Sequence, residues 1–264
     1  MKSGDFQRAI EALSGQEAPR VWSLIVTVFG DLAQQEGDEI AGPVLGNILS
    51  PMGVRPEAMR VALHRLRNEG WITTRKQGRT ALHGLSAFGR LQSTDASTQI
   101  YGKAPPLHPE WHVLCFAPLN AGEDHQRSQA MRARGYIAIV NGVYARNSPL
   151  EHVDADAFVV QGTVSHVPNW LSAILAPGPM REGFNALSRT LGALQIDASF
   201  ANSLSELQIA ALRAVIVHRW RKLVLKLPQI PDIMFGDAFE GAQCRVHVLR
   251  TLDVLHRPQL SDLA

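Results

Sequence analysis

The chain has 264 residues, 45% hydrophobic and 19% charged, with a formal net charge of +2. At roughly 150 residues per domain this predicts two or three small domains, and the composition excludes global disorder. Two cysteines without CxxC spacing, Cys115 and Cys244, exclude a disulfide framework and a cysteine zinc site, and a reducing cytosol is the expected compartment.

The first residues, MKSGDFQRAIEAL, are interrupted by Asp5 and Glu11 and lack an apolar core, so no secretory signal is expected. The longest apolar run, 21–30, is about half the length a bilayer requires, so the expected protein is soluble and has no membrane partner. Val21, Leu24, Ile25, Val28 and Leu32 form one apolar stripe at helical spacing, and Gly37 closes that segment. A short second helix fits 43–49, with Pro43 in its first turn, before a turn at Pro51, Met52 and Gly53. A third helix starts at Pro56 and stops at Gly70. Met59, Ala62, Leu63 and Leu66 give it an inward face, whereas Arg60, His64 and Arg67 share another. Residues 71–85 then read as a hairpin turning at Gly78, with Arg75, Lys76 and Arg79 near its tip.

Positive charge is concentrated in this region. Between 55 and 90 there are eight basic residues against two acids, Glu57 and Glu69, the footprint expected for a polyanion partner. Three short helices followed by a basic hairpin predict a winged helix-turn-helix. Its third helix would read the major groove of double-stranded DNA, and its hairpin would track phosphates or the minor groove. The expected DNA-contacting residues are Arg55, Arg60, His64, Arg65, Arg67, Arg75, Lys76 and Arg79.

Residues 93–109 are rich in Ser, Thr and Pro, lack a period and read as a linker. Beyond them, 111–117 suits a buried strand, 124–134 a helix, and 136–140 and 157–164 further strands, predicting a small α/β domain. From Glu182 onward the pattern is helical. Phe184, Leu187, Leu191 and Leu194 form one stripe, Leu212, Ile216, Trp220, Leu223 and Leu227 another, and a last helix fits 238–256.

No catalytic motif emerges, and a non-enzyme without a cofactor is expected. Gly84, Ser86 and Phe88 miss a serine hydrolase elbow for want of the second glycine. His108 and His112 are four apart, but Pro109 and the missing glutamate exclude a zincin helix. His152, Asp154 and Asp156 would share one face if they lay on a strand, the pattern of a metal site, but a polar strand edge or loop accounts for them better and no metal is expected. No glycine-rich phosphate loop is present.

The strings SLIVTVFGDL, MGV and EAMRVALHRLRNEGWITTRKQGR resemble the N-terminal domain of the PaaX-like transcriptional repressors of phenylacetic acid degradation. Few winged helices combine FGD in the first helix with RxALxRLxxxGW. Near the other end, His218, Arg219, Trp220, Arg221, Leu227, Pro228, Ile230 and Pro231 match that family's C-terminal pattern. Lys226 departs from it where members often carry an acid, and Phe239 stands near an expected tryptophan. The resemblance implies a bacterial regulator, usually a homodimeric repressor, bound to a palindromic operator and released by an aryl-CoA such as phenylacetyl-CoA or another acyl-CoA. It implies an α+β chain in three parts: a winged helix over 1–92, a ferredoxin-like middle domain over 110–180 after the linker, and a helical effector and dimerisation domain over 181–264. Arg219, Lys222 and Lys226 lie at i, i+3 and i+7 beside an apolar stripe. With His218 and Arg221 they are the expected effector residues, since coenzyme A presents phosphates and a thioester carries an apolar end. Two other classes fit less of the pattern: an enzyme acting on acyl-CoA, and a nucleic-acid-associated protein without promoter specificity.

Overall fold

The computed structural model describes residues 2–15, 20–150, 152, 154–236 and 239–263. Over these the protein is mixed α+β, with eleven α-helices and two small antiparallel sheets. It divides into two compact units, each assembled from separated stretches. One comprises Met1–Gly102, Gly183–Leu225 and Gln243–Ala264, the other Lys103–Glu182 and Lys226–Ala242.

The first unit begins with α1 (Lys2–Ser14) and α2 (Val21–Leu32), where Leu24, Ile25, Val28 and Leu32 of the apolar stripe are buried as their spacing predicts and Val21 is half-buried. A two-residue strand, β1 (Ile40–Ala41), leads into α3 (Gly42–Leu49) and a short 3-10 turn. Gly53 ends that turn at φ 76°, a left-handed conformation that glycine adopts without steric cost. Helix α4 (Pro56–Asn68) follows and buries Ala62, Leu63 and Leu66. It closes on Gly70 at φ 74°, with the Trp71 amide donating to the Leu66 carbonyl at 2.8 Å. Strands β2 (Ile72–Gln77) and β3 (Thr80–Leu85) form the hairpin, and β1 joins β3 to complete a sheet in the order β1-β3-β2. The turn is Gly78-Arg79, between Gln77 and its partner Thr80, and of the two only Gly78 has positive φ, 61°.

Residues 93–101, expected as linker, are helical: α5 runs Ala87–Tyr101. The Ser86 hydroxyl caps its start by accepting from the Gly89 amide. Its Ser and Thr residues find tertiary partners, since Gln34 Nε2 donates to the hydroxyls of Ser93 and Ser97. The irregular stretch is therefore confined to 102–110.

The second unit runs β4 (Trp111–Phe116), α6 (Ala121–Ala133), β5 (Ile137–Val140), β6 (Val143–Arg146) and β7 (Ala157–Gly162), and its four strands form an antiparallel sheet in the order β5-β6-β4-β7. Leu114, Met131, Tyr136 and Tyr144 make its core. Strand β6 was not anticipated, although Asn141-Gly142 between the paired residues Val140 and Val143 is a strong hairpin signal. His152, Asp154 and Asp156 precede β7 in a loop, so strand alternation does not govern them. Helix α7 (Asn169–Leu175) follows.

Helices α8 (Gly178–Leu194), α9 (Ala198–Ala201), α10 (Glu206–Val224) and α11 (Glu240–Val254) complete the chain. The expected start of the last helix, Ala238, lies outside the described residues. Residues 181–264 do not separate as a third domain. Helix α10 packs against α1, α2, α3 and α5, and Trp220, fully buried on it, donates its indole N–H to the Ile100 carbonyl at 2.8 Å. An element buried on nearly every side belongs to a core, and the core here is built largely from the first hundred residues. No helix among the described residues is long and apolar enough to cross a membrane.

Candidate nucleic-acid interface

The binary pattern of α4 divides its surface. Its apolar face packs on α2, which leaves the opposite face to solvent. All eight expected DNA-contacting residues are exposed: Arg55, Arg60, His64, Arg65 and Arg67 on or beside α4, and Arg75, Lys76 and Arg79 on the hairpin. They are not equally available. Arg65 donates to Glu69 at 2.7 Å and lies over the Trp22 ring at 5.2 Å. Arg75 grips the Glu39 carboxylate through Nε and Nη2, the closest approach being 2.6 Å. Among the described residues Arg60 has only a solvent-exposed contact with Glu57 at 3.6 Å, a type of pair worth little. Among the described residues Arg55, Arg67, Lys76 and Arg79 form no ion pair, so four cations cluster on this surface without acid partners.

One exposed side chain on α4 was missed. Val61 is 70% exposed, off the apolar stripe and one turn before His64 and Arg65. A solvent-facing branched apolar residue on a cationic helix has the shape to meet a thymine methyl group. Its signal in the sequence was its position outside the Met59–Leu66 periodicity.

The residues expected to hold an effector lie elsewhere and serve several purposes. His218 is buried, with Nδ1 3.3 Å from the Thr27 hydroxyl. Burial, reinforced by the charges of Arg221 and Lys222, lowers its pKa to about 4. Arg219 donates to the Ala12 and Leu13 carbonyls at 3.3 and 3.2 Å, where a cation favours the C-terminal end of α1. Arg221 donates to the Thr27 hydroxyl at 3.0 Å. Lys222 is exposed. The helical stripe expected through Lys226 is interrupted, because α10 ends at Val224. Pro228 disfavours helical geometry at the residue before it, and Lys226 lies in the second unit. There it lines a cavity of about 460 Å³ with Arg132, Ile137, Ile174, Leu175 and Leu227.

Three helices, a small sheet and a cationic hairpin thus describe the region that the comparisons single out. Residues 20–89 match the family model described as PaaX-like protein. The chain is 24% identical to the "Transcriptional repressor PaaX" of Escherichia coli (strain K12) over 243 residues, covering 84% of this chain and 76% of that protein. Among solved structures it is similar to the "Uncharacterized protein Rv0674 from Mycobacterium tuberculosis", with a TM-score of 0.54 and 18% identity, over 88% of this chain and 94% of that one. That likeness concerns the fold.

Proposed function

We propose that this chain, a PaaX-like protein, is a bacterial DNA-binding transcriptional repressor of an aromatic, phenylacetate-type catabolic operon. The single observation that supports this reading best is the exposed cationic face of α4 and the β2-β3 hairpin, where Arg55, Arg67, Lys76 and Arg79 face solvent without acid partners among the described residues. In this reading α2, α3 and α4 with the three-stranded sheet form a winged helix-turn-helix. Helix α4 enters the major groove, where Arg60 and Arg67 reach base edges, and the hairpin lies along phosphates. The four-stranded sheet takes the ferredoxin-like role. Its strand order agrees with that arrangement, although the described residues between β6 and β7 form no second helix. The protein acts in the cytoplasm as a homodimer, because pairing two half-sites adds avidity that one small module lacks. An aryl-CoA or related acyl-CoA releases it by binding the DNA-incompetent state more tightly, and by linkage operator DNA weakens effector binding by the same factor.

Selection of bound sequences from a random duplex pool, followed by anisotropy titrations, tests this. One palindromic sequence should emerge. Arg60→Ala and Arg67→Ala should each lose about 1–3 kcal/mol of binding and relax one base position. Phenylacetyl-CoA should release the DNA where coenzyme A alone does so poorly. Equal affinity for unrelated sequences would overturn the repressor reading, and an unchanged footprint in both variants would overturn the role of α4.

A further inference from the structure

The second unit contains a cavity of about 510 Å³ lined by His112, Arg134, Gly135, Tyr136, Arg146, His152 and two smaller side chains. Its floor is a neutral, locked pair. His112 Nδ1 lies 3.1 Å from the Ser148 carbonyl, which can only accept, so Nδ1 carries a proton and donates it. Nε2 of the neutral ring is then an acceptor, 2.8 Å from the Tyr136 hydroxyl, which donates. Burial keeps the ring neutral, since His112 is 1% exposed and its pKa lies below the ordinary histidine value. Both polar ends of the pair are consumed, so the floor fixes the Tyr136 ring.

Two guanidinium groups converge on that ring. Arg134 lies 5.5 Å from its centroid and Arg146 5.8 Å. These contacts steady the two heads against the ring while leaving N–H groups to donate elsewhere. Among the described residues Arg146 has no carboxylate within ion-pair distance, and Arg134 has one, Asp154, at 3.7 Å. Gly135, next to Arg134 in the chain, lines the cavity at φ 80°, a left-handed conformation that favours glycine. Two cations share one ring in an accessible cavity, and among the described residues the acid engaged with them is Asp154, 3.7 Å from Arg134, so positive charge is in excess there.

We infer that this cavity binds an organic anion through a carboxylate or phosphate group held between Arg134 and Arg146. Planar guanidinium forks match both groups in bidentate geometry. Asp154 is the built-in competitor for Arg134, displaced when the ligand arrives. The regulatory role of this site rests on the repressor reading, as the place where an anionic effector is sensed; its capacity to bind an anion does not.

Isothermal titration of the full chain in phosphate- and carboxylate-free buffer tests it, with phenylacetate as one arm and inorganic phosphate as the other. The tighter arm identifies the source of the anion. Arg146→Gln should weaken that arm by about tenfold or more, as loss of a charge-assisted hydrogen bond requires. Asp154→Asn should strengthen it severalfold, a gain that mere structural support would not produce. Asp154→Asn keeps both arginines and nearly the same shape, so it carries the test alone if Arg146→Gln does not fold. Neither anion binding at millimolar concentration, or one binding equally well to wild type and the folded variants, would overturn the site. Loss of sequence-specific DNA binding in the parallel anisotropy assay would overturn only the repressor reading.

Discussion

Helices α4 and α10 carry three arginines each, in the same unit, and use them in opposite ways. On α4 Arg60, Arg65 and Arg67 stand in solvent around a helix with one buried face. On α10 the arginines are turned inward or pinned. Arg213, 4% exposed, meets Asp31 of α2, 1% exposed, with two bonds of 2.8 Å. Its Nη1 donates to the Leu252 and Leu255 carbonyls at the end of α11. Tyr101 adds its hydroxyl to Asp31 at 2.8 Å, and burial beside that carboxylate pushes the phenol's pKa far up. The difference teaches that arginine content alone does not locate an interface. A one-sided apolar pattern leaves cations outside, whereas a helix apolar on most sides carries its cations into the core, where each needs a partner.

The sharpest way to break this contrast is at Asp31 and Arg213. Arg213→Met takes the close, buried counter-charge from Asp31, leaving it the half-exposed Arg257 at 3.8 Å, and should destabilise the protein by about 3 kcal/mol in urea denaturation, with Asp31→Asn close behind. The double variant should lose less than the sum of the two. Comparable substitutions at Arg60 or Arg67 should leave the midpoint almost unchanged. If Arg213→Met is as stable as wild type, α10 is not the consumer of charge described above.

The next effect is set by pH. His218 on α10 titrates near 4 in the folded protein and near 6.5 when unfolded. Between those values the unfolded state binds more protons, so stability rises with pH across the window and is lost as pH falls through it. The amount is on the order of 3 kcal/mol between neutral pH and pH 4. His83 and His112 are shifted in the same direction by burial, so part of the slope will survive in His218→Gln. Denaturation midpoints that decline equally in wild type and His218→Gln would remove His218 from the account.

The smallest effect belongs to the hairpin. Neutralising Lys76 or Arg79, neither of which has an ion-pair partner among the described residues, should lower the salt dependence of DNA binding by about one unit per phosphate contact. Arg75 should contribute less, because Glu39 already holds it. A triple neutral variant with the wild-type slope would remove the hairpin from the interface.

Much of the cationic surface was legible because it depends on local rules. Pro56 opens α4, Gly70 and Gly78 supply positive φ, and the Met59–Leu66 period turns Arg60, His64 and Arg67 outward. Exposure needs no partner, so a sequence can specify it alone. The same rules fail at 93–101, where α5 depends on Gln34 reaching Ser93 and Ser97, whereas β6 obeys them, turning back from β5 at Asn141-Gly142.

What the sequence by itself determined, then, is the order of α2, α3, α4 and the hairpin between residues 21 and 85 and the face on which their charge lies, while α1 and β1 went beyond it. Tertiary structure alone decided the fate of the second set of cations. The reason is separation along the chain: Asp31 meets Arg213 across 182 residues, and Thr27 meets His218 across 191. It also decided the cavity of the second unit, where Arg134 and Arg146 reach one tyrosine ring because α6, β5 and β6 fold back on one another. A burial environment is a property of all the elements that surround a side chain, and local periodicity reports only the one that carries it.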